Sequence, residues 1–540
     1  MKRRHQSDFR RQFARACLAR ARDLMRAPFA ALVVFPLALL LCAPVAAQGQ
    51  NDYDRLERAA ALIREGQLAR AEAELGSILR WRPDDANALN FLGVVRAGQK
   101  RAREAEQLFL RALKASPALV GAYVNLGRLY LEGGNQERAL WAFAEADKFA
   151  PGREEILFNL AAIHVERKDF ERALDALGKI PRDALGVEDV RLILASYLGL
   201  GRNDEAVAIA ASLKRPGALP PEEAANFAAL FAAHGLLDEA IEILEAARAN
   251  WPNSYPLLYN LGASYSQRKD WARAEEFLTA ALAARPDDVP ALRSLASVAR
   301  ARGETEKSLS LLIRARRLAP ASDEVLYDFG LTALQMNLIL DALPAFEELQ
   351  RKRPDHPPYI YMLAAARLRK GEKGAAETLL RRYVALRPKD AAGHYLLGVA
   401  LNSLSRFAEA RAAFGESLAL GPNPEAEYML GLISNNEGDA AGAVRWLERA
   451  LQAEPNHAAA RSELGIAYFR QNNYEAARAA LERAVELDQK DLRAVHQLGL
   501  VYAKLGDRER AARMNALADE LRKERREQET VVLKLVEPPQ

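Results

Sequence analysis

The chain has 540 residues, 50% hydrophobic and 27% charged, with a formal net charge of +4 and two cysteines. That balance excludes a disordered or collagen-like chain, and two cysteines exclude a disulfide scaffold or a four-cysteine zinc site. About one residue in five is alanine against 7% aromatics, which points to helices packed at close range.

Residues 1–47 hold nine basic residues against Asp8 and Asp23, a net +7 that leaves −3 on the remainder. The basic balance belongs to this leader, so no nucleic-acid binding is expected of the body. Residues 27–47 carry no charge and end in Val45-Ala46-Ala47, with small residues at the −3 and −1 positions of a cut after Ala47. This is the layout of a secretory signal peptide. Two other arrangements fit the same segment. Its 21 residues are long enough for an uncleaved membrane anchor, and Leu39-Leu40-Leu41-Cys42 is similar to a lipoprotein box, with bulky Leu41 in place of the usual small residue. The expectation is an exported protein, periplasmic or envelope-associated. Cys17 and Cys42 both lie in the leader, so the cleaved chain has no cysteine.

From residue 52 onward one period organises the sequence. A small residue recurs at Ala71, Ala105, Ala139, Ala173, Ala206, Ala240, Ala274, Ser308, Ala342, Ala376, Ala410, Ala443, Ala477 and Ala511, and eleven of the thirteen spacings are 34 residues. Prolines such as Pro83, Pro117, Pro286, Pro354 and Pro455 keep the same beat. About fourteen units therefore tile residues 52–525, with an irregular stretch near 173–221 where the periodic proline is missing. Within a unit, apolar residues recur at three- and four-residue intervals on two helices split by a turn. Neither helix buries its apolar face alone, so successive pairs stack. Glycine at position 8 of eight units, for example Gly93, Gly127 and Gly465, costs roughly 1 kcal/mol of helix propensity and predicts a close helix contact, matched by the position-20 alanines. The residues behind the periodic prolines, Asp84, Asp85, Asp287, Asp288, Asp355, Asp390, Asn423 and Asn456, are N-cap candidates. The tail, residues 526–540, reads as a helix extension with a frayed end, or as a segment whose Val531–Val536 adds a strand to a partner.

The unit resembles the tetratricopeptide repeat. Residues 120–153 carry its pattern in Tyr123, Leu126, Gly127, Tyr130, Ala139, Phe143, Ala146 and Pro151, and residues 255–288 repeat it in Leu258, Leu261, Gly262, Tyr265, Ala274, Leu278, Ala281 and Pro286. The resemblance implies an all-α, right-handed superhelical solenoid of helix-turn-helix repeats whose first helices line an inner groove, with positions 2, 5, 9, 12 and 13 reaching ligand. Position 5 reads Tyr259, then Tyr327, Tyr361, Tyr395 and Tyr428 in four consecutive units. Position 6 reads Asn125, Asn159, Asn226 and Asn260. Tyrosines offer apolar area with a polar tip at low entropy cost, and an asparagine ladder pairs with the backbone of an extended peptide. The family pattern also uses both positions for packing between repeats. Members that hold acidic C-terminal peptides pair a lysine at position 5 with an asparagine at position 9, and this chain has neither there.

No metalloprotease, phosphate-loop, nucleophile-elbow or calcium-loop motif occurs, and the seven histidines are scattered. No cofactor, metal or catalytic residue is expected. The reading is a non-catalytic scaffold that binds an extended peptide or partner protein in its groove, with possible membrane attachment through residues 27–47. The alternative is an envelope-assembly factor for polysaccharide or outer-membrane export, working with a separate pore.

Overall fold

Fourteen glycine or glycine-like turns each fold a pair of amphipathic helices into a hairpin. The computed structural model describes residues 48–211, 213, 214 and 219–536. The expected signal peptide or anchor, residues 1–47, lies outside the described residues. Among the described residues no helix is long and apolar enough to cross a membrane.

The helices pair in chain order as α1 (Gln48–Arg64) with α2 (Leu68–Trp81), α3 (Ala86–Gly98) with α4 (Ala102–Ala115), α5 (Val120–Glu132) with α6 (Gln136–Phe149), and α7 (Glu154–Glu166) with α8 (Phe170–Leu177). Next come α9 (Val187–Gly199) with α10 (Asn203–Ala210), α11 (Pro221–Ala233) with α12 (Leu237–Arg248), and α13 (Tyr255–Gln267) with α14 (Trp271–Ala284). Then follow α15 (Val289–Ala301) with α16 (Thr305–Leu318), α17 (Asp323–Gln335) with α18 (Ile339–Lys352), α19 (Pro357–Lys370) with α20 (Lys373–Leu386), and α21 (Ala391–Ser403) with α22 (Phe407–Leu420). The last pairs are α23 (Pro424–Glu437) with α24 (Ala440–Ala453), α25 (Ala458–Arg470) with α26 (Tyr474–Leu487), and α27 (Leu492–Lys504) with α28 (Arg508–Val536). Two compact units divide between Ala291 and Leu292, and each is an all-α stack of hairpins. Helices α8 and α10, in the stretch that lacks the periodic proline, have only eight residues each. The backbone of α28 is helical through Val536, so Val531–Val536 does not form the strand offered as one reading of the tail.

One turn geometry recurs throughout. In the third hairpin the Asn135 N–H donates to the Tyr130 carbonyl (2.8 Å) and the Gly134 N–H to that of Leu131 (3.0 Å), closing the helix end as a Schellman motif. The same six-to-one bond closes all fourteen hairpins, from Gln67 to Leu62 through to Asp507 to Tyr502. Each turn needs one residue with positive φ. Glycine supplies it in eight, whereas Lys100, Lys168, Lys269, Asn337, Ser405 and Asn472 hold φ of 60–63°. An L side chain there costs about 1–2 kcal/mol, so repeat geometry overrides local preference at six turns.

The close helix contact predicted from the position-8 glycines is present, but its partner differs from the expected one. A Cβ on Gly127 would lie 2.8 Å from ring carbons of Phe143, and one on Gly465 would lie 2.4 Å from Leu481 Cγ. The facing residue is sixteen positions on, one helical turn past the position-20 alanine. Those alanines are themselves fully buried, Ala139 and Ala477 among them. The N-cap register is also fixed. Asp85, Asp288 and Asn423 accept from Ala88, Ala291 and Ala426 N–H (3.0, 2.9 and 3.1 Å), and Asp390 accepts from Ala392 N–H (3.1 Å). Asp84, Asp355 and Asn456 instead bind Arg111, Arg382 and Arg483 of the following hairpin.

Gly465→Ala should therefore overpack the thirteenth hairpin by about 1–3 kcal/mol, more than the roughly 1 kcal/mol of helix propensity that alanine returns. Amide hydrogen exchange of α25 and α26 is expected to speed up in this variant. Gly415→Ala, where no atom lies within 4 Å, is the control and should leave exchange unchanged or slower.

Candidate partner-binding face

The position-5 tyrosines of the second unit form one continuous row. Tyr327, Tyr361, Tyr395 and Tyr428 stand on four successive first helices, α17, α19, α21 and α23, and each is half-buried. Each is flanked by a ring: Phe346 edge-on to Tyr327 (6.2 Å between centroids), Tyr383 beside Tyr361 (5.2 Å), Phe414 beside Tyr395 (5.8 Å) and His457 beside Tyr428 (4.8 Å). Each phenol lies within electrostatic reach of the next in the row. Burial pushes the Tyr395 hydroxyl up to about 12, with the Glu425 charge adding to it. The hydroxyls of Tyr361, Tyr395 and Tyr428 have no hydrogen-bond partner among the described residues. Tyr259, on α13 of the first unit, stacks on Tyr255 (5.8 Å).

The asparagines are placed differently. Asn125 is 3% exposed, and its amide donates to Asn90 Oδ1 (3.0 Å) across adjacent hairpins. Asn159 and Asn260 donate to the carbonyls of Glu155 (2.6 Å) and Pro256 (2.8 Å) in their own helices. Asn226 is half-buried on α11. The amide donors of Asn125, Asn159 and Asn260 thus serve the fold itself, and the four side chains make no common donor array.

A polar network that the sequence reading did not single out closes the tyrosine row. A cleft of about 870 Å³ opens beside Tyr428, and its lining mixes the acids Glu463 and Asp491 with Lys490, Arg493 and Arg522. Glu463 is 4% exposed. It accepts from Asn435 Nδ2 (2.9 Å) and pairs with Arg493. Burial raises its carboxyl above the ordinary range, with the Asn435 hydrogen bond and the Arg493 and Arg470 charges opposing. The sequence signal was available: Glu463 takes position 6, beside the tyrosine position, one unit after Tyr428.

Glu425, Glu454 and His457 bring one potential ligand atom each within 4.8 Å of one another. His457 Nδ1 accepts from the Ala460 N–H as the cap of α25 (3.1 Å). The proton of the neutral ring then sits on Nε2, which faces Glu425 Oε1 (3.4 Å) and has no lone pair free for a cation.

Comparisons with known proteins accord with this architecture. Tetratricopeptide repeat models match residues 56–120, 231–298, 327–391, 361–427, 395–458 and 436–505, together more than half of the chain. The chain belongs to the tetratricopeptide repeat family, whose members bind protein or peptide partners. Protein FlbA of Caulobacter vibrioides is 32% identical over 141 residues, a match that spans 26% of this chain and 23% of that protein. Similar solved structures include the anaphase-promoting-complex hetero-tetramer Cut9-Hcn1 (17% identity, TM-score 0.42, covering 81% of this chain and 93% of that one). A tetratricopeptide repeat protein from Parabacteroides merdae (22% identity, TM-score 0.39) covers 46% of this chain and 98% of its own. Yeast Tom70 (14%, TM-score 0.37) covers 78% of this chain and 97% of its own.

The raised carboxyl of Glu463 sets a pH dependence. A carboxyl that holds its proton more tightly when folded adds stability at low pH, and that stability falls as the pH rises from about 4.5 through the raised value. Glu463→Gln should flatten this slope. The variant's melting temperature should match the parent's at acid pH and equal or exceed it at neutral pH. A variant that loses ground as the pH rises would show that the Arg493 pair outweighs burial.

Proposed function

We propose that the chain is a non-catalytic scaffold that holds an extended peptide, or an extended segment of a partner protein, along the tyrosine row of the second unit. The observation that carries this reading is the row itself. Four phenols at one position of consecutive repeats offer recurring apolar faces, three of them, Tyr361, Tyr395 and Tyr428, with hydroxyls that have no hydrogen-bond partner among the described residues, and a chain with a regular backbone can use such a series. Their rings are already braced by Phe346, Tyr383, Phe414 and His457, so little side-chain entropy is lost on contact.

Tyr327→Ala, Tyr361→Ala and Tyr395→Ala combined should abolish partner capture, read by crosslinking the expressed chain and identifying the products by mass spectrometry. Circular dichroism should stay helical. Undiminished capture by a folded triple variant would place binding elsewhere.

We further propose that the protein is exported, with residues 1–47 as the exporting segment and the −3 body on the far side of the membrane. Alkaline phosphatase joined after residue 60 should be active in a bacterial host, and the mature fusion should begin at Gln48. An inactive fusion would overturn export. A mature form that keeps Met1, or one with lipid on Cys42, would replace cleavage by anchoring.

A further inference from the structure

Carboxylates border the tyrosine row at Tyr361 and Tyr395, and at the Tyr428 end carboxylates mix with Lys490, Arg493 and Arg522. Asp390 lies within electrostatic reach of Tyr361, Glu425 of Tyr395, and Glu425, Glu463 and Asp491 of Tyr428, where Arg493 opposes them. Arg493 is itself paired with the buried Glu463. Two other cations of these first helices are engaged elsewhere: Arg369 donates to the Leu334 carbonyl (2.5 Å) and Arg470 to that of Asn435. Exposed Glu425 and Glu454 have no cationic partner other than His457 among the described residues.

The rings of the row differ in a second way from five tyrosines of the chain. Tyr130, Tyr197, Tyr255, Tyr265 and Tyr502 each carry a guanidinium of this chain over the ring, at 5.5 Å from Arg138, 4.9 Å from Arg202, 4.2 Å from Arg285, 5.3 Å from Arg268 and 5.1 Å from Arg510. Tyr361, Tyr395 and Tyr428 have no such cover among the described residues. An aromatic face beside a carboxylate attracts a cation through both the ring quadrupole and the charge. Here the chain supplies both, and among the described residues no guanidinium or ammonium lies over the three rings.

We propose that the tyrosine face of the second unit receives a basic segment of a partner protein, an extended stretch whose lysine or arginine side chains lie on the rings of Tyr361, Tyr395 and Tyr428 and pair with Asp390, Glu425 and Glu454. The proposal rests on the peptide-binding reading of this face and adds the charge of its ligand. An acidic segment would meet the same carboxylates as like charges, which disfavour it.

The test is a displayed library of random twelve-residue peptides panned on the full chain at low salt, with recovered peptides synthesised and titrated by fluorescence anisotropy. The expected peptides are net basic, and their affinity falls steeply at high salt, where exposed charges are screened. Glu425→Gln with Glu454→Gln, both at exposed positions, should weaken binding about tenfold. Tyr395→Phe with Tyr428→Phe keeps the ring faces and should stay within about threefold of the parent, whereas leucine at both positions should weaken binding at least tenfold. Acidic or uncharged peptides that still require these tyrosines would overturn the proposal and leave the peptide-binding reading intact. Peptides indifferent to the tyrosines, or no recovered peptide at all, would overturn both.

Discussion

The contact between position 8 of the first helix and position 24 of the second sets the spacing of every hairpin, and the fold follows from keeping that contact filled. One side of the contact is small and the other larger in each of these hairpins. Phe109, Phe143, Phe346 and Phe414 all face glycine. Leucine occupies position 24 opposite alanine in five hairpins, as Ala59 with Leu75, Ala161 with Leu177, Ala228 with Leu244, Ala296 with Leu312 and Ala364 with Leu380, all of them buried. In the fifth hairpin the sizes are exchanged, with Leu194 at position 8 and Ala210 at position 24. Three further hairpins set leucine against glycine, Gly262 with Leu278, Gly431 with Leu447 and Gly465 with Leu481, so each of these pairs joins a small residue to a larger apolar one without a fixed total volume. The last hairpin departs from this: Gly499 meets Asn515 (2.8 Å), a polar partner suited to the end of a stack.

Constant hairpin spacing allows the other regularities. Because every turn closes through the same six-to-one bond, the second helix leaves the first in the same direction each time. The next first helix then begins at an equivalent place, and a residue type repeated at one position becomes a row in space. Six non-glycine residues tolerate a left-handed backbone to preserve this closure, which shows that hairpin geometry is under stronger constraint than local propensity.

Much of this is legible in the sequence, and the failures have specific causes. The 34-residue period, the helix pairs and the tyrosine row depend only on spacing, so they can be read directly. The partner of the position-8 glycine cannot. Positions 20 and 24 lie one turn apart on the same side of the second helix, and only the interhelical geometry decides which of them meets the missing Cβ. Paired acids such as Asp84-Asp85 leave the cap ambiguous by one residue, and the structure gives the cap to the second and an arginine of the next hairpin to the first. The asparagines at position 6 belong to the same periodic pattern, yet the amides of Asn159 and Asn260 turn back on their own helices, because a short polar side chain on a helix can reach its own i−4 carbonyl. The acidic border was missed because its members come from the following hairpin: Asp390 lies 29 residues after Tyr361, and Glu425 lies 30 after Tyr395. Aligning the repeats as a grid, rather than reading each unit alone, would have placed them side by side.

The two sets of candidate residues therefore differ in what a ligand must displace. A peptide strand that recruited Asn125, Asn159 or Asn260 through its amide donors would first break a hydrogen bond already made within the fold, and each exchange returns little net free energy. The phenols of Tyr361, Tyr395 and Tyr428 face no such exchange. Neighbouring rings flank theirs, and among the described residues their hydroxyls have no hydrogen-bond partner and no arginine lies over them. Burial and neighbouring carboxylates also disfavour ionisation of these phenols, so the row stays neutral across the physiological range and its aromatic faces keep their attraction for cations. A pre-set neutral aromatic row beside fixed negative charge is a surface whose unmet interactions all lie on the solvent side.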